Sequence, residues 1–347
     1  MMAGVQNRKI QRVISLLLVT LYFYGLPAQA QYGGGTGEPN DPYQIATADD
    51  LMLLGESPED CDKHFILTAD IDLDPNLPRR KVFDRAVIPW FEGTFDGNNL
   101  TISHLTIEGG GYLGLFGRLS SGAEVKDLGV VDVNITSSGD QVGGLVGDNE
   151  GYVTHCYSTG AVTGVNYVGG LVGSNGALLI LRVPGQYFPD FPVSLWSTIY
   201  NCYSTVYVTG NTGVGGLLGS NSGDVTQCYS NAVVIGNSSV GGLAGANRGA
   251  GTIARCYAIC TIRKAFPQWQ ADESIGGLVG TNFGTPGSSW DTWYPSIPAR
   301  VAVISDCYSI VSGDSQVSGL LVGQNGDSNS KPWFSISPGR IVNCYAA

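Results

Sequence analysis

The stretch "QVGGLVGDNEGYVTHCYSTG" occupies residues 141–160, and its glycine-rich start resembles loops that bind phosphate or metal ions. A phosphate-binding loop needs Lys and then Ser or Thr after its last glycine, or a strand–loop–helix context. Asp148 and Asn149 follow the last glycine instead. The VGGLVG core also recurs along the chain, whereas a ligand loop is expected once. We therefore interpret the stretch as a structural repeat.

Six copies of this pattern occur after residue 140, and two further motifs follow each copy. The copies lie at 142–147, 168–173, 214–219, 240–245, 275–280 and, with one extra residue, 317–323. A degenerate copy precedes them at 112–117. An Asn stands two residues after the last glycine, at Asn149, Asn175, Asn221, Asn247, Asn282 and Asn325. A Cys-Tyr pair comes next, with its Cys at Cys156, Cys202, Cys228, Cys256, Cys307 and Cys344.

The period of the repeat predicts the fold. Uninterrupted copies are 26 residues apart, and their short β-rich pieces show no sustained 3.6-residue apolar period. Such a unit, with about three short strands and three turns, is typical of one coil of a parallel β-helix. We predict an all-β, right-handed parallel β-helix of about seven coils, with an N-terminal cap that contains a short helix.

Stacked coils would turn each repeat position into a ladder. Val, Leu and Ile are expected inside, and the glycines at tight corners that need a positive φ. The six Asn side chains are expected to bond one another from coil to coil. Each Cys should point inward and the following Tyr outward, because neighbours alternate on a strand.

Three segments are predicted along the chain: a signal peptide at 1–30, a leader or cap at 31–111, and the repeat region at 112–347. The first 30 residues have a basic start, an apolar core and Ala28–Ala30 as a cleavage site, so we expect export. In the leader, Thr47 and Asp50 form a capping-box start for a helix over Leu51, with Gly55 as its stop.

Composition limits the partners. The formal net charge is −11 and becomes more negative once the three basic residues of the signal peptide are removed. An exported acidic chain is not expected to bind nucleic acid. No stretch after residue 30 reaches the ~20 apolar residues of a membrane span.

The repeats resemble the GLUG motif family, and the match covers residues 113–347. The segments "DPYQIATADDLMLLG" (41–55) and "FEGTFDGNNLTISHLTI" (91–107) also look like the leader of such proteins. The resemblance implies a bacterial secreted or surface protein with β-helical repeats, related to adhesin-like proteins and to the non-catalytic part of immunoglobulin A peptidases. It carries over no catalytic residue and no cofactor.

Two candidate sites have structural alternatives. Asp70, Asp72 and Asp74 alternate with apolar residues and are a weak calcium candidate, although a solvated strand edge is favoured. The cysteines come singly, which argues against zinc, and a buried thiol ladder is favoured over disulfides. No other cofactor is expected.

The insertions that interrupt the repeat are the candidate binding face, against the alternative that each packs on its own coil. They lie at 178–198, 285–300 and 327–339 and leave one corner just after the ladder Asn. Their aromatic residues suit a glycan or protein partner: Tyr187, Phe188, Trp196, Trp290, Trp293, Tyr294, Trp333 and Phe334.

The function predicted from these features is non-enzymatic: adhesion, envelope structure, or binding of an extracellular glycan or protein at the cell surface or after secretion. The alternative is a β-helical polysaccharide lyase or hydrolase, which would need a cluster of acidic and basic residues in a groove. The chain stops in mid-repeat at Ala347, which predicts a continuation or a partner strand that covers the open edge.

Overall fold

The β-rich pieces of each repeat form short strands that pair with the same pieces of the next coil. A computed structural model describes residues 32–176, 178–181, 191–194, 197–265, 274–284, 301–313, 321–325 and 340–347. The predicted signal peptide lies outside these residues. The fold is an all-β parallel β-helix, as the repeat predicted.

The leader contains one helix and the first strands of the stack. Its elements are β1 (Tyr43–Ile45), α1 (Ala48–Glu56), a 3-10 turn (Pro58–Asp60), β2 (His64–Leu67), β3 (Ile71–Asp72), β4 (Ile88–Phe91), β5 (Thr94–Ser103) and β6 (Thr106–Gly109). The coils that follow contain β7 (Phe116–Leu119), β8 (Glu124–Ser137), β9 (Val146–Asn149), β10 (Tyr152–Thr154), β11 (Tyr157–Thr163), β12 (Asn166–Gly169) and β13 (Val172–Asn175).

The later coils repeat the same order, with one hairpin inserted. The strands are β14 (Leu178–Leu181), β15 (Phe191–Ser194), β16 (Thr198–Tyr200), β17 (Tyr203–Thr209), β18 (Thr212–Gly215), β19 (Leu218–Asn221), β20 (Asp224–Thr226), β21 (Tyr229–Gly236), β22 (Ser238–Gly241), β23 (Ala244–Arg248), β24 (Thr252–Ala254), β25 (Tyr257–Lys264), β26 (Ile275–Gly276), β27 (Val279–Phe283), β28 (Val303–Ser305), β29 (Tyr308–Gly313), β30 (Val322–Asn325), β31 (Arg340–Val342) and β32 (Tyr345–Ala346). Strands β14 and β15 pair antiparallel in the first insertion.

A typical coil has four strands on three sheets rather than the three strands expected. In the coil of β10 to β13, β10 and β11 lie in one sheet, β12 in the second and β13 in the third. The face shared by β10 and β11 is divided by His155, whose φ of 54° is left-handed. The equivalent residue before Cys202, Asn201, has the same conformation with a φ of 51°. Short polar side chains tolerate this region better than most residues.

The leader is part of the same stack. Strand β2 pairs in parallel with β5, β5 with β8, and β4 with β7. The sheet that contains β4 has eight strands among the described residues, one from each coil. The repeat predicted about seven coils, so the stack is longer than expected. The boundary at residue 111 stays a prediction, but parallel pairing continues across it.

Helix α1 packs at the start of the stack, against β1 and β4. The Thr47 side chain accepts from the Asp50 N–H and the Asp50 carboxylate accepts from the Thr47 N–H, which is the capping box predicted. The stop at Gly55 was wrong, because the helix continues to Glu56. Gly55 is instead a close-approach site, since a Cβ there would collide with the Val87 carbonyl.

The ladder asparagines form a continuous buried chain of hydrogen bonds. Each Nδ2 donates to the Oδ1 of the next coil, at 2.7 Å from Asn149 to Asn175 and 2.8 Å from Asn175 to Asn221. The chain continues through Asn247 and Asn282 to Asn325, at distances of 2.9 to 3.0 Å. The first five ladder asparagines are 0% exposed: Asn149, Asn175, Asn221, Asn247 and Asn282. An unpaired amide at any of these positions would therefore be costly.

The cysteines form a second internal ladder of free thiols. The backbone N–H of Cys156 donates to the Sγ of Cys202 at 3.3 Å, and that of Cys202 to the Sγ of Cys228 at 3.4 Å. Burial raises the pKa of Cys202 and Cys228 well above the ordinary thiol value. Such thiols stay protonated and therefore react slowly.

The glycines of the VGGLVG motif do not have a positive φ in the described copies, so the expectation that they form left-handed corners was wrong. The residue before the repeat's first Val has the positive φ: Gln141 (60°), Tyr167 (54°), Gly213 (67°) and Ser239 (49°). The glycines instead allow the close approach of backbones. A Cβ on Gly169 would collide with the Val172 carbonyl.

Candidate functional site

The outer side of the eight-stranded sheet carries a groove of about 460 Å³. Its lining residues come from five successive coils and the turns beside them: Gln141, Asp148, Tyr167, Ser174, Gly176, Ser220, Ser222, Arg248, Gly249 and Phe283. We call this surface the Arg248 groove. Its volume falls within the ~300–1,000 Å³ typical of small-ligand sites.

The floor of the Arg248 groove is a row of small side chains. Ser174 of β13 pairs with Ser220 of β19, which pairs with Ala246 of β23. Asp148 of β9 occupies the same row one coil earlier. Small residues in consecutive coils leave a depression because larger residues stand on both sides.

Arg248 is held against two aromatic rings. Its guanidinium carbon lies 5.1 Å from the ring centroid of Tyr167 and 5.4 Å from that of Phe283, its in-register neighbour. One terminal nitrogen donates to the Tyr167 hydroxyl at 3.2 Å. The Nε is buried and has no hydrogen-bond partner within the described part of the chain. A guanidinium edge with an unused donor can bind an oxyanion.

Asp148 is a buried carboxylate near the other end of the groove. It is 8% exposed, and its Oδ2 lies 3.9 Å from the Nε of Arg118. Burial raises the pKa of Asp148 to about 6, and the neighbouring Glu150 carboxylate adds to the rise. The charge of Arg118 and hydrogen bonds with Ser174 and Gln141 act in the opposite direction. A perturbed carboxylate in a concave site is a candidate for a functional role.

The predicted insertions begin at the rim of this groove. Gly176 and Phe283 both line it, and the insertions at 178–198 and 285–300 start within two residues of them. The predicted face residues lie outside the described side chains: Tyr187, Phe188, Trp196, Trp290, Trp293, Tyr294, Trp333 and Phe334. Their role in binding therefore stays a prediction, while the corner from which two insertions leave adjoins a groove.

A second aromatic feature lies on another face. The tyrosines that follow the ladder cysteines stack with ring centroids 4.8 to 4.9 Å apart and planes within 2° of parallel: Tyr157, Tyr203, Tyr229, Tyr257 and Tyr308. Because each inner ring is covered on both faces, mainly ring edges face solvent. The stack therefore stabilises the coils and offers few ring faces on which a sugar could pack.

The three calcium candidates are each engaged in local contacts within the chain. The Asp70 carboxylate accepts from Thr101 at 2.7 Å, and Asp72 lies 2.8 Å from the Nδ1 of His104. The Asp74 carboxylate accepts from the Asn76 N–H at 2.9 Å. Across the described ranges, no three His, Cys, Asp or Glu residues are grouped as a metal site requires. The geometry therefore adds no support to the calcium hypothesis.

Sequence reasoning did not select Asp148, Tyr167 or Arg248. One signal was present: at the position after the ladder Asn, successive copies have Glu150, Gly176, Ser222, Arg248 and Phe283. A large cation and a large ring replace small residues in neighbouring copies. In a stacked repeat, such departures fall side by side on the surface, which is how this groove is built.

The stacked parallel coils place this chain among the β-helical solenoids. No protein-family model matches it. A solved structure described as a "putative immunoglobulin A1 protease" from Bacteroides ovatus has a TM-score of 0.57 and 18% identity, and covers 91% of this chain and 87% of that one. At that identity the likeness concerns the fold alone.

Two curated relatives share part of the sequence. Halomucin from Haloquadratum walsbyi is 32% identical over 151 residues, which are 40% of this chain and 2% of halomucin. A "Putative Gly-rich membrane protein" from Evansella cellulosilytica is 32% identical over 154 residues, 41% of this chain and 17% of that protein. The matched segments thus span a small part of either relative's length. Among the described residues, the helices lack the length and apolar character needed to cross a bilayer.

Proposed function

We propose that this chain is a non-enzymatic, secreted or cell-surface repeat protein of the GLUG type that binds an extracellular glycan or protein. The observation that carries the proposal is the Arg248 groove at the corner from which two aromatic-rich insertions leave the stack. The names of the two curated relatives, Halomucin and "Putative Gly-rich membrane protein", support a surface location.

The physical basis is a division between scaffold and binding surface. The Asn, Cys and Tyr ladders fix the coils, so the outer rows and the insertions can vary without loss of the fold. A rigid scaffold lowers the ordering cost of binding, while loops provide the variable contacts.

The binding test uses a glycan array and a panel of immobilised extracellular-matrix proteins. Trp290→Ala and Trp333→Ala should each weaken the binding of wild-type protein. The control is Tyr207→Ala, because Tyr207 is 62% exposed on β17, which belongs to a different sheet from the groove. Equal binding by all three variants would disprove the role of the insertions, and no binding by wild type to either panel would disprove the proposal.

A polysaccharide lyase or hydrolase is the second candidate, and Asp148 is the observation that favours it. A carboxyl group with a pKa of about 6 can transfer protons near neutral pH. The test is the release of reducing ends from a panel of acidic and neutral polysaccharides. Release that is lost in Asp148→Asn would favour the enzyme over the binding protein.

A further inference from the structure

We infer that the Arg248 groove is a subsite for the anionic group, a carboxylate or a sulfate, of an acidic saccharide. The inference rests on the proposed function and specifies the ligand class. It is carried by the position of one guanidinium, the chemistry of the groove floor and the charge of the whole chain.

The guanidinium of Arg248 lines the groove beside two aromatic rings. Its contacts with Tyr167 and Phe283 hold it near two aromatic rings, and its Nε–H remains buried without a partner among the described residues. An oxyanion at that edge would satisfy the donor and gain a charge-assisted hydrogen bond. A neutral ligand would supply an acceptor without the charge.

The remainder of the groove suits the body of a saccharide. Ser174, Ser220 and Ser222 provide hydroxyl groups along the floor, and Tyr167 and Phe283 provide apolar wall surface. Asp148 can accept a hydrogen bond from a sugar hydroxyl at the end away from Arg248. The groove thus has a cationic end at Arg248, hydroxyl groups along its floor and a carboxylate at Asp148. An apolar peptide would leave these polar groups without partners.

The overall charge makes the subsite's role measurable. With a formal net charge of −11, the chain repels polyanions at long range. Binding of an acidic saccharide must therefore depend on local contacts, and loss of Arg248 should remove a large part of it. General attraction to anions would instead be insensitive to any single Arg.

The test is calorimetric titration of the mature full chain with three probes: tetragalacturonate, its full methyl ester, and a sulfated galactan oligosaccharide. We expect the acid to bind at least about tenfold more tightly than its ester. Arg248→Gln should lower affinity for the acid by about tenfold or more, and Arg248→Lys, which keeps the charge but loses the planar edge, by several-fold. Arg255→Gln is the matched control, because Arg255 is exposed and lies outside the groove.

The outcomes separate this inference from the proposed function. If the sulfated probe binds more tightly than the uronate and needs Arg248, the anionic group is a sulfate. Equal affinity for acid and ester, or no effect of Arg248→Gln, overturns the subsite while glycan binding stands. If none of the probes binds wild type, the subsite is overturned, and the Trp290 and Trp333 variants decide the proposed function independently. If Arg248→Gln has a lower melting temperature than wild type, the affinity of Arg248→Lys for the acid is compared with that of wild type instead.

Discussion

Replacement of a single ladder asparagine should lower the free energy of unfolding of the whole stack substantially. Asn221 is 0% exposed. Its Nδ2 donates to the Asn247 Oδ1 at 2.9 Å and to the Gly223 carbonyl at 3.0 Å. Its Oδ1 accepts from the Asn175 Nδ2 at 2.8 Å and from the Gly223 N–H at 3.2 Å. Leu at this position removes the partner of the Asn175 amide, the Gly223 N–H and the Asn247 oxygen, while the Gly223 carbonyl keeps the Thr252 N–H at 2.9 Å.

The cost follows from those three groups. Each buried polar group left unsatisfied costs about 1–3 kcal/mol, so Asn221→Leu should lower the free energy of unfolding by at least about 3 kcal/mol. The assay is equilibrium unfolding in guanidinium chloride followed by far-ultraviolet circular dichroism. Asn231→Leu is the control, because Asn231 is exposed on β21 and should change stability by about 0.5 kcal/mol or less.

A charged isostere sharpens the same prediction. In Asn221→Asp the ionised side chain can accept but not donate, so an oxygen faces the Asn247 Oδ1. The buried carboxylate should be tolerated better when protonated, so the deficit should shrink as the pH falls. If Asn221→Leu is as stable as Asn231→Leu, the amide ladder does not hold the coils together and the reasoning is refuted.

Three further predictions concern the groove, the tyrosine stack and the glycines. Because the folded-state pKa of Asp148 is raised to about 6, the favourable contribution of this group to the free energy of unfolding is full below about pH 4 and is lost as the pH rises towards and through 6. The free energy of unfolding of Asp148→Asn should therefore exceed that of wild type by up to about 3 kcal/mol at pH 7.5 but not at pH 4. Equal differences at both pH values would contradict this. Tyr229→Leu removes two stacking contacts and should lower the free energy of unfolding, measured by chemical denaturation, by about 1–3 kcal/mol. Tyr207→Leu, at a 62% exposed position outside the stack, should change it little, and equal changes in the two variants would contradict a stabilising stack. Gly241→Ala should lower the melting temperature sharply, because a Cβ there would meet the Ala244 carbonyl of the same coil. Gly110→Ala, with open space around it, should not, and a tolerated Gly241→Ala would show that the turn between β22 and β23 can widen.

The sequence was sufficient for the stack because the repeat fixes the register. Equal spacing places Asn149 beside Asn175, and the alternation after Cys156 places Tyr157 outside. A glycine's role is less readable, because positive φ and close backbone approach both require Gly. That ambiguity explains the mistaken corners and the mistaken helix stop at Gly55.

The candidate site was only partly predictable, because it is assembled across coils. Asp148, Tyr167, Arg248 and Phe283 are 19 to 135 positions apart in the chain, and each stands in a column that varies between copies. No local motif connects them. Only the stacking geometry shows that Tyr167 can reach Arg248, which is 81 residues away.

The central claim, that ligand binds at the corner where the repeat is interrupted, is tested most directly by hydrogen–deuterium exchange with and without tetragalacturonate. We expect slower exchange on binding in peptides that cover 166–176 and 246–251, which carry Tyr167, Gly176 and Arg248. Peptides that cover 157–163 and 229–236, on the tyrosine-stack face, should be unchanged. Protection nowhere in the chain would overturn the acidic-saccharide subsite, and protection confined to the tyrosine-stack face would contradict the central claim.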